Sequence, residues 1–408
     1  MNFTHRIIYR LIKLIKIIIR NGLIVLNDGL ICLPVKKNYY LFESFNGKDV
    51  SDNPAAIYKQ LVHDDPSTRD RAYFGVKPGM YKELHEKYPN VHLLKRFMPK
   101  WIYCTARAQF WIFNSRMPTW WRKNKGTVYI QTWHGTPLKK LGLDMKQVEM
   151  PGTSTKRYKK HFKKETQRWD YLIAPNLYSE KIFKSAFAFK NRFLKIGYPR
   201  NDVLYRDDRP EVIKRLKKSL LGRSDVHVIT YAPTWRDDDY ITRGAYRFEL
   251  KFSLKEFFKH VPKDTILIIR PHYLIKSKID VGKFKDRVKV MRDVDISKLY
   301  LISDLLITDY SSVMFDYANL NRPMLFFSYD LAHYRNTLRG FYFDYQKDIP
   351  GPLATTADQL YKDLDVYTKH HGFPEYAEKM KQFRHKYCTW ESADSSEKVV
   401  QLLKKVGK

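Results

Sequence analysis

An α/β protein of two parallel-sheet halves, preceded by one amphipathic helix, is what three features of the sequence predict. From about residue 38 short apolar runs alternate with longer amphipathic ones, the pattern of strands joined by helical crossovers. A polar, charged passage, Tyr-Arg-Asp-Asp-Arg-Pro at 205–210, interrupts the alternation, which then begins again. Residues 1–34 follow neither pattern, being apolar with a basic residue every three or four positions. The predicted units are therefore 1–34, a first Rossmann-like domain over 35–205 and a second over 206–408, with the two domains facing a cleft.

Composition bounds the function. Of 408 residues, 44 % are hydrophobic and 15 % aromatic, enough to bury a large core and to exclude wholesale disorder. The net charge of +32 calls for an anionic partner: nucleic acid, acidic lipid or a phosphorylated substrate. No helix-turn-helix, zinc-finger or RNA-recognition signature accompanies the charge, so nucleic acid is set aside. Cys32, Cys104 and Cys388 lie far apart and make no metal-ligand pattern, and three cysteines do not suggest a disulfide framework. A reduced, intracellular protein is expected.

In the first segment Arg6, Arg10, Lys13, Lys16 and Arg20 are spaced to stack on one helical face, and isoleucines and leucines fill the rest. A membrane-spanning helix needs about 20 mostly uncharged residues in a row, and these charges interrupt it. No small-residue cleavage site marks a secretory signal. The expectation is a helix lying in the membrane interface, the alternative being one packed on the protein's own core. Tryptophans at 101–103, 111–113 and 118–125 stand beside lysine and arginine and suit a headgroup boundary, although tryptophan is more often core. The basic run at 156–164 reads either as a solvated face or as a loop reaching toward membrane or an anionic acceptor.

Strands are expected at Tyr39–Phe42, Ala72–Val76, Val91–Leu94, Gln109–Phe113, Val128–Gln131, Tyr171–Ala174 and Phe193–Ile196. In the second half they fall at His227–Tyr231, Thr265–Ile269, Val288–Met291, Leu305–Thr308 and Met324–Phe327. Helices are expected over 211–220, 253–260, 296–302, 312–320 and much of 356–405.

The usual nucleotide loops, GxxxxGK[ST] and GxGxxG, are absent. Instead, five polar segments begin at the carboxyl ends of predicted strands: 131–139 (QTWHGTPLK), 197–202 (GYPRND), 231–236 (YAPTWR), 269–273 (IRPHY) and 307–316 (ITDYSSVMFD). That edge is where open parallel sheets bind ligands. Ser311 and Ser312 stand where a helix begins, so their hydroxyls and the free backbone N–H groups form a phosphate site or an ordinary N-cap. Arg270, before Pro271 and His272, presents a planar cation on a rigid turn, and Arg200 does the same. His134 precedes Gly135, which permits close backbone approach. Asp237, Asp238 and Asp239 read as exposed loop acids; no cofactor is assigned, and a divalent cation stays open.

These segments resemble, in type and order over roughly residues 38–390, the CDP-glycerol:poly(glycerophosphate) glycerophosphotransferase family of wall teichoic acid synthesis. The resemblance implies a glycosyltransferase B-like fold, an acceptor- and membrane-facing domain over 35–205, and a CDP-glycerol-binding domain over 206–408. It implies an enzyme at the cytoplasmic face of the membrane that moves glycerol phosphate to a hydroxyl of a polyprenyl-diphosphate-linked acceptor and releases CMP. Donor contacts would then fall on Thr132, Trp133, Gly135, Thr136, Arg200, Pro233, Thr234, Arg270, Pro271, Ser311, Ser312 and Asp316. His134 and His272 occupy the positions of the family's essential histidines, His134 as base and His272 on the phosphate, or the reverse. A ribitol-phosphate transferase, a nucleotide-sugar transferase acting on a lipid-linked acceptor, and a non-enzymatic basic protein that binds anionic lipid or nucleic acid are the alternatives.

Overall fold

A computed structural model describes residues 3–148, 153–234, 240–242, 245–246, 249–271, 279–331 and 340–407. Seven strands form the first sheet: β1 (Lys36–Glu43), β2 (Ala72–Val76), β3 (His92–Lys95), β4 (Ala108–Phe113), β5 (Val128–Gln131), β6 (Tyr171–Ala174) and β7 (Arg192–Lys195). They pair in the order β3-β2-β1-β4-β5-β6-β7, and every pairing is parallel. The second half adds β8 (Val228–Ala232), a small antiparallel pair β9 (Tyr240–Thr242) and β10 (Ala245–Tyr246), then β11 (Ile266–Ile269), β12 (Val288–Val290), β13 (Leu305–Thr308), β14 (Met324–Phe327) and β15 (Leu353–Ala354). Its six-stranded sheet runs β12-β11-β8-β13-β14-β15, again all parallel. Each sheet reverses direction of growth beside its first strand, at β1/β4 and at β8/β13, and such a switch opens a crevice at the carboxyl edge.

The runs form strands because both faces are covered, which suits continuous apolar sequence. In β1, Tyr40 and Phe42 point to one side, where helix Asp52–Asp64 supplies Ile57, Tyr58 and Leu61. Leu41 points to the other, into a cluster with Trp101, Trp111, Trp121, Trp169 and Phe187. β8, β11, β13 and β14 are likewise buried along their length.

Four readings change or narrow. Trp101, Trp111 and Trp121 are fully buried, so burial in the core rather than a headgroup boundary accounts for them. The run at 156–164 belongs to a helix, Thr155–Thr166, capped by Ser154 and anchored by buried Phe162; Lys156, Arg157, Lys160, Lys163 and Lys164 form its solvated face, not a loop. The final helix, Ser395–Gly407, does not stay with 206–408: Val399, Val400 and Leu403 pack into the first sheet's core. The first helix, Phe3–Leu30, is not packed on the core along its length. Leu23 and Leu30 lean on the tryptophan cluster and Asn27 donates to the Arg122 carbonyl at 3.0 Å. From Arg10 to Gly22 every residue is exposed. No helix among the described residues is long and apolar enough to cross a membrane.

Candidate active site

The carboxyl edges of the two sheets meet. Just past β5 the chain pairs with the other half: Lys140 N–H donates to the Gly340 carbonyl at 2.8 Å, and Tyr342 N–H to the Leu138 carbonyl at 3.0 Å. At the turn itself Trp133 adopts a φ of 53° and Gly135 one of 155°. A Cβ on Gly135 would stand 3.3 Å from Ser312 Oγ and 3.7 Å from Arg200, so a bare backbone is what lets the serine approach. Ser312 caps the short helix Val313–Tyr317, and Ser311 precedes it; both are half-buried, and the Ser312 side chain makes no capping bond.

Trp133 is driven into its turn by packing. Its ring lies 4.6 Å from Phe187 and 4.4 Å from the His134 ring, nearly stacked on it. His134 keeps some solvent-accessible surface, although protein crowds its ring. Its Nδ1 lies 2.8 Å from the Asn114 carbonyl, and a carbonyl can only accept. The neutral ring therefore carries its proton on Nδ1 and a lone pair on Nε2. Burial pushes the His134 pKa below its ordinary value; the Asn114 bond and Asp52 oppose that shift, while Arg200 and Arg116 add to it. A neutral ring near pH 7 suits a proton acceptor.

Arg200, from the loop after β7, reaches both halves of the molecule. Nη1 donates to Asp52 Oδ1 at 2.8 Å, and Nη2 to Asp316 at 2.9 and 3.0 Å. Burial works against this cation, but Asp316 and Asp52 outweigh it and hold the guanidinium charged. Asn201 donates to Asp316 and to Glu391, and Asp202 accepts from Ser395 and Ser396 N–H, capping the returning helix. The 197–202 segment is thus the knot that ties the two halves. Arg200 and Asp316 answer each other there, where the sequence suggested donor contacts.

The remaining segments flank this point. Thr234 N–H donates to Asp309 Oδ1 at 2.8 Å, just beyond buried Pro233. Arg270 donates through Nη1 to the carbonyls of Met291 and Arg292, and Pro271 follows it, buried. Thr132 and Thr136 are buried: Thr132 donates to backbone carbonyls and Thr136 Oγ1 accepts from Asn176. His272 and Asp237–Asp239 lie outside the described residues. Among the described residues no three metal-ligating side chains gather.

Sequence reasoning missed Asp52, Asn53 and Asn114. Asn53, fully buried, donates to the Trp133 carbonyl at 3.0 Å and accepts from Arg200 N–H at 3.1 Å. Asn114 directly follows β4, while Asp52 and Asn53 open the helix after β1; none of the three lies in the five polar segments singled out in the sequence.

Residues 26–405 match the family model described as CDP-Glycerol:Poly(glycerophosphate) glycerophosphotransferase. The chain belongs to this family. It is 45 % identical over 374 residues to the teichoic acid poly(glycerol phosphate) polymerase of Bacillus subtilis strain 168, covering 91 % of this chain and 49 % of that protein. This glycerophosphotransferase-family chain thus spans about half the length of that relative. With the teichoic acid glycerol-phosphate transferase of Staphylococcus aureus strain NCTC 8325 it shares 44 % identity over 371 residues, 90 % of this chain and 93 % of the other. The solved wall teichoic acid polymerase TagF superposes with a TM-score of 0.84 at 38 % identity, over 99 % of this chain and 97 % of that one. A variant of TagF was also solved after a soak with CDPG.

Proposed function

We propose that this enzyme transfers glycerol phosphate from CDP-glycerol to a hydroxyl of a polyprenyl-diphosphate-linked acceptor. The observation that carries the reading is the contact between the His134–Gly135 turn of one sheet and Ser312 of the other. It brings the turn that carries His134 next to Ser312 at a helix start. In the reaction His134 Nε2 takes the acceptor hydroxyl proton, and the acceptor oxygen attacks the phosphorus that bears glycerol. The bond from that phosphorus to the bridging oxygen breaks, and CMP leaves with the electron pair. In-line positioning and neutralised phosphate oxygens contribute more to such a transfer than covalent help.

Ser311, Ser312 and Arg270 serve the diphosphate, and His272, two positions after Arg270 in the sequence, is assigned to the same phosphate. Arg200 takes a different part. Its charge is answered by two carboxylates, so its work is to hold the halves in register rather than to neutralise substrate. No metal is assigned a step.

Membrane attachment follows from the first helix. Ile8, Leu11, Ile12, Ile15, Ile18 and Ile19 are exposed together with Arg10, Lys13, Lys16 and Arg20. Apolar side chains entering the interface and basic ones meeting anionic headgroups, about 1 kcal/mol each, favour a peripheral position on the cytoplasmic face. Mass spectrometry of products made from a defined lipid acceptor with CDP-glycerol, CDP-ribitol or UDP-sugars tests the whole reading. Glycerol-phosphate addition from CDP-glycerol is expected; transfer only from another donor, or from none, overturns it.

A further inference from the structure

Asp52 bonds Arg200 directly and is linked to His134 only through Asn114. Its side chain is 5 % exposed, and its backbone φ of 60° is a left-handed conformation that Asp and Asn adopt more readily than most L-residues. Oδ2 accepts from Asn114 Nδ2 at 2.6 Å, and Oδ1 accepts from Arg200 Nη1 at 2.8 Å. Asn114 is fixed from its other end as well, because its Oδ1 accepts from Phe45 N–H at 2.8 Å. A carboxylate only accepts and an N–H only donates, so these two partners settle which way the amide faces. The backbone carbonyl of that same Asn114 receives His134 Nδ1–H. A chain of three residues therefore runs from the carboxylate to the Asn114 side chain, and from the Asn114 backbone carbonyl to the ring of the base.

We propose that Asp52 is the positioning residue of His134: acting through Asn114, it holds the Nδ1–H tautomer and aims Nε2 at the acceptor hydroxyl. The inference rests on His134 being the base. Because Arg200 links the same carboxylate to Asp316 on the opposite half, the base is set only while the helix carrying Ser312 and Asp316 is docked.

The charged groups facing His134 are Asp52 from the start of helix Asp52–Asp64, Arg200 from the loop after β7 and Arg116 from the loop after β4. Asp52 favours the protonated ring and the two arginines oppose it. Asp52→Asn keeps the shape, tolerates the left-handed backbone and removes the charge. It should lower kcat by about 10–100-fold, the cost of a slightly misplaced group. Donor KM should change less than about twofold, and the acidic limb of kcat/KM should move to lower pH. Asn114→Ala removes the side-chain amide bonded to Asp52, keeps the backbone carbonyl that accepts from His134, and leaves the Arg200 ion pairs untouched; it should reproduce the kcat loss even if Asp52→Asn fails to fold. A direct readout is the tautomer: with ¹⁵N-labelled histidine, His134 should be protonated on Nδ1 in the wild type and show a mixture in Asn114→Ala. Unchanged kcat per folded enzyme in Asn114→Ala, or a tautomer that stays pure in it, overturns the proposal. Near-normal turnover of His134→Ala would instead sink the base assignment, while the tautomer measurement would still decide what Asp52 and Asn114 do to the ring.

Discussion

Truncating Arg200 is the sharpest perturbation of the knot between the two halves. Arg200, Asp52 and Asp316 have side chains 16 %, 5 % and 10 % exposed, so little water reaches the triad. Arg200→Ala leaves two buried carboxylates facing one another with no shared cation. Removing one partner of a buried pair costs about 3–5 kcal/mol, much of it the stranded charge rather than the lost attraction. If the chain unfolds as one unit, that is a Tm lower by about 4–6 °C. Arg200→Lys should fall between, because an ammonium cannot fork to both carboxylates as the planar guanidinium does. Adding Asp316→Ala to Arg200→Ala should recover part of the loss, since one of the two stranded anions is then gone. The assay is thermal and denaturant unfolding followed by circular dichroism on the two single variants and the double. Strict additivity, or an Arg200→Ala protein within about 0.5 kcal/mol of wild type, would show that the triad is surface-like and does not tie the halves.

Four further outcomes are expected. The acidic limb of kcat/KM should lie below the ordinary histidine value, because burial depresses the His134 pKa and the base is lost only when the ring protonates; His134→Ala should remove that limb and lower kcat by about 10²–10⁴-fold, and a surviving limb would give the proton to another group. Ser311→Ala with Ser312→Ala should raise donor KM, and Arg270→Ala should raise it more, since charge-assisted bonds contribute about 1.5–3 kcal/mol against about 1 for neutral ones; unchanged donor affinity by calorimetry in both would move the phosphate pocket elsewhere. Replacing Ile12, Ile15 and Ile19 by Ser should shift the protein from vesicles of anionic lipid to the supernatant without loss of turnover on a short, water-soluble acceptor, and retained flotation would transfer attachment to another surface such as helix Thr155–Thr166. Glu391 is pushed up to about 8 by burial and by Asp316, so the folded state holds a proton that the unfolded state gives up near 4.5; its stabilising contribution is complete below about pH 4.5 and fades as pH rises through 8, by at most about 1.4 kcal/mol per pH unit, and Glu391→Gln should flatten that slope in denaturant titrations.

The strands were the most legible part of the chain. Ala72–Val76, Val128–Gln131, Tyr171–Ala174, Leu305–Thr308 and Met324–Phe327 match their expected bounds, because a strand buried on both faces needs an unbroken apolar run and little else does at that length. Helix Asp52–Asp64 was not legible. It opens with a left-handed Asp52, takes no capping bond from Ser51 and carries Pro54 in its first turn, all of which read as loop. Helix Pro99–Arg107 hid behind Trp101 and Tyr103, whose local composition suited a membrane boundary until burial of the indole showed otherwise. The return of Ser395–Gly407 to the first sheet could not be read at all, because its apolar stripe fits any sheet face. What selects the face is Asp202, 193 positions away from Ser395, which accepts the first N–H groups of that helix.

The site divides along the same line. Residues that can bind a phosphate or move a proton announce themselves by chemical type: His134 before a glycine, paired serines at a helix start, Arg270 before a proline. The groups that orient them do not, since asparagine and aspartate at a strand end are common in any loop. Yet the direction of each functional group follows from those silent partners. His134 could lose or gain a proton on either nitrogen until the Asn114 carbonyl fixes Nδ1, and Arg200 could face a phosphate until Asp52 and Asp316 claim its guanidinium. The same arginine fork that would suit a diphosphate therefore sits between two carboxylates, one in each half, and docking of the halves becomes a condition for the base to point correctly. A transferase built this way ties its reactive geometry to the contact between the halves, so the nucleophile's base is aligned where the donor-side helix is already in place.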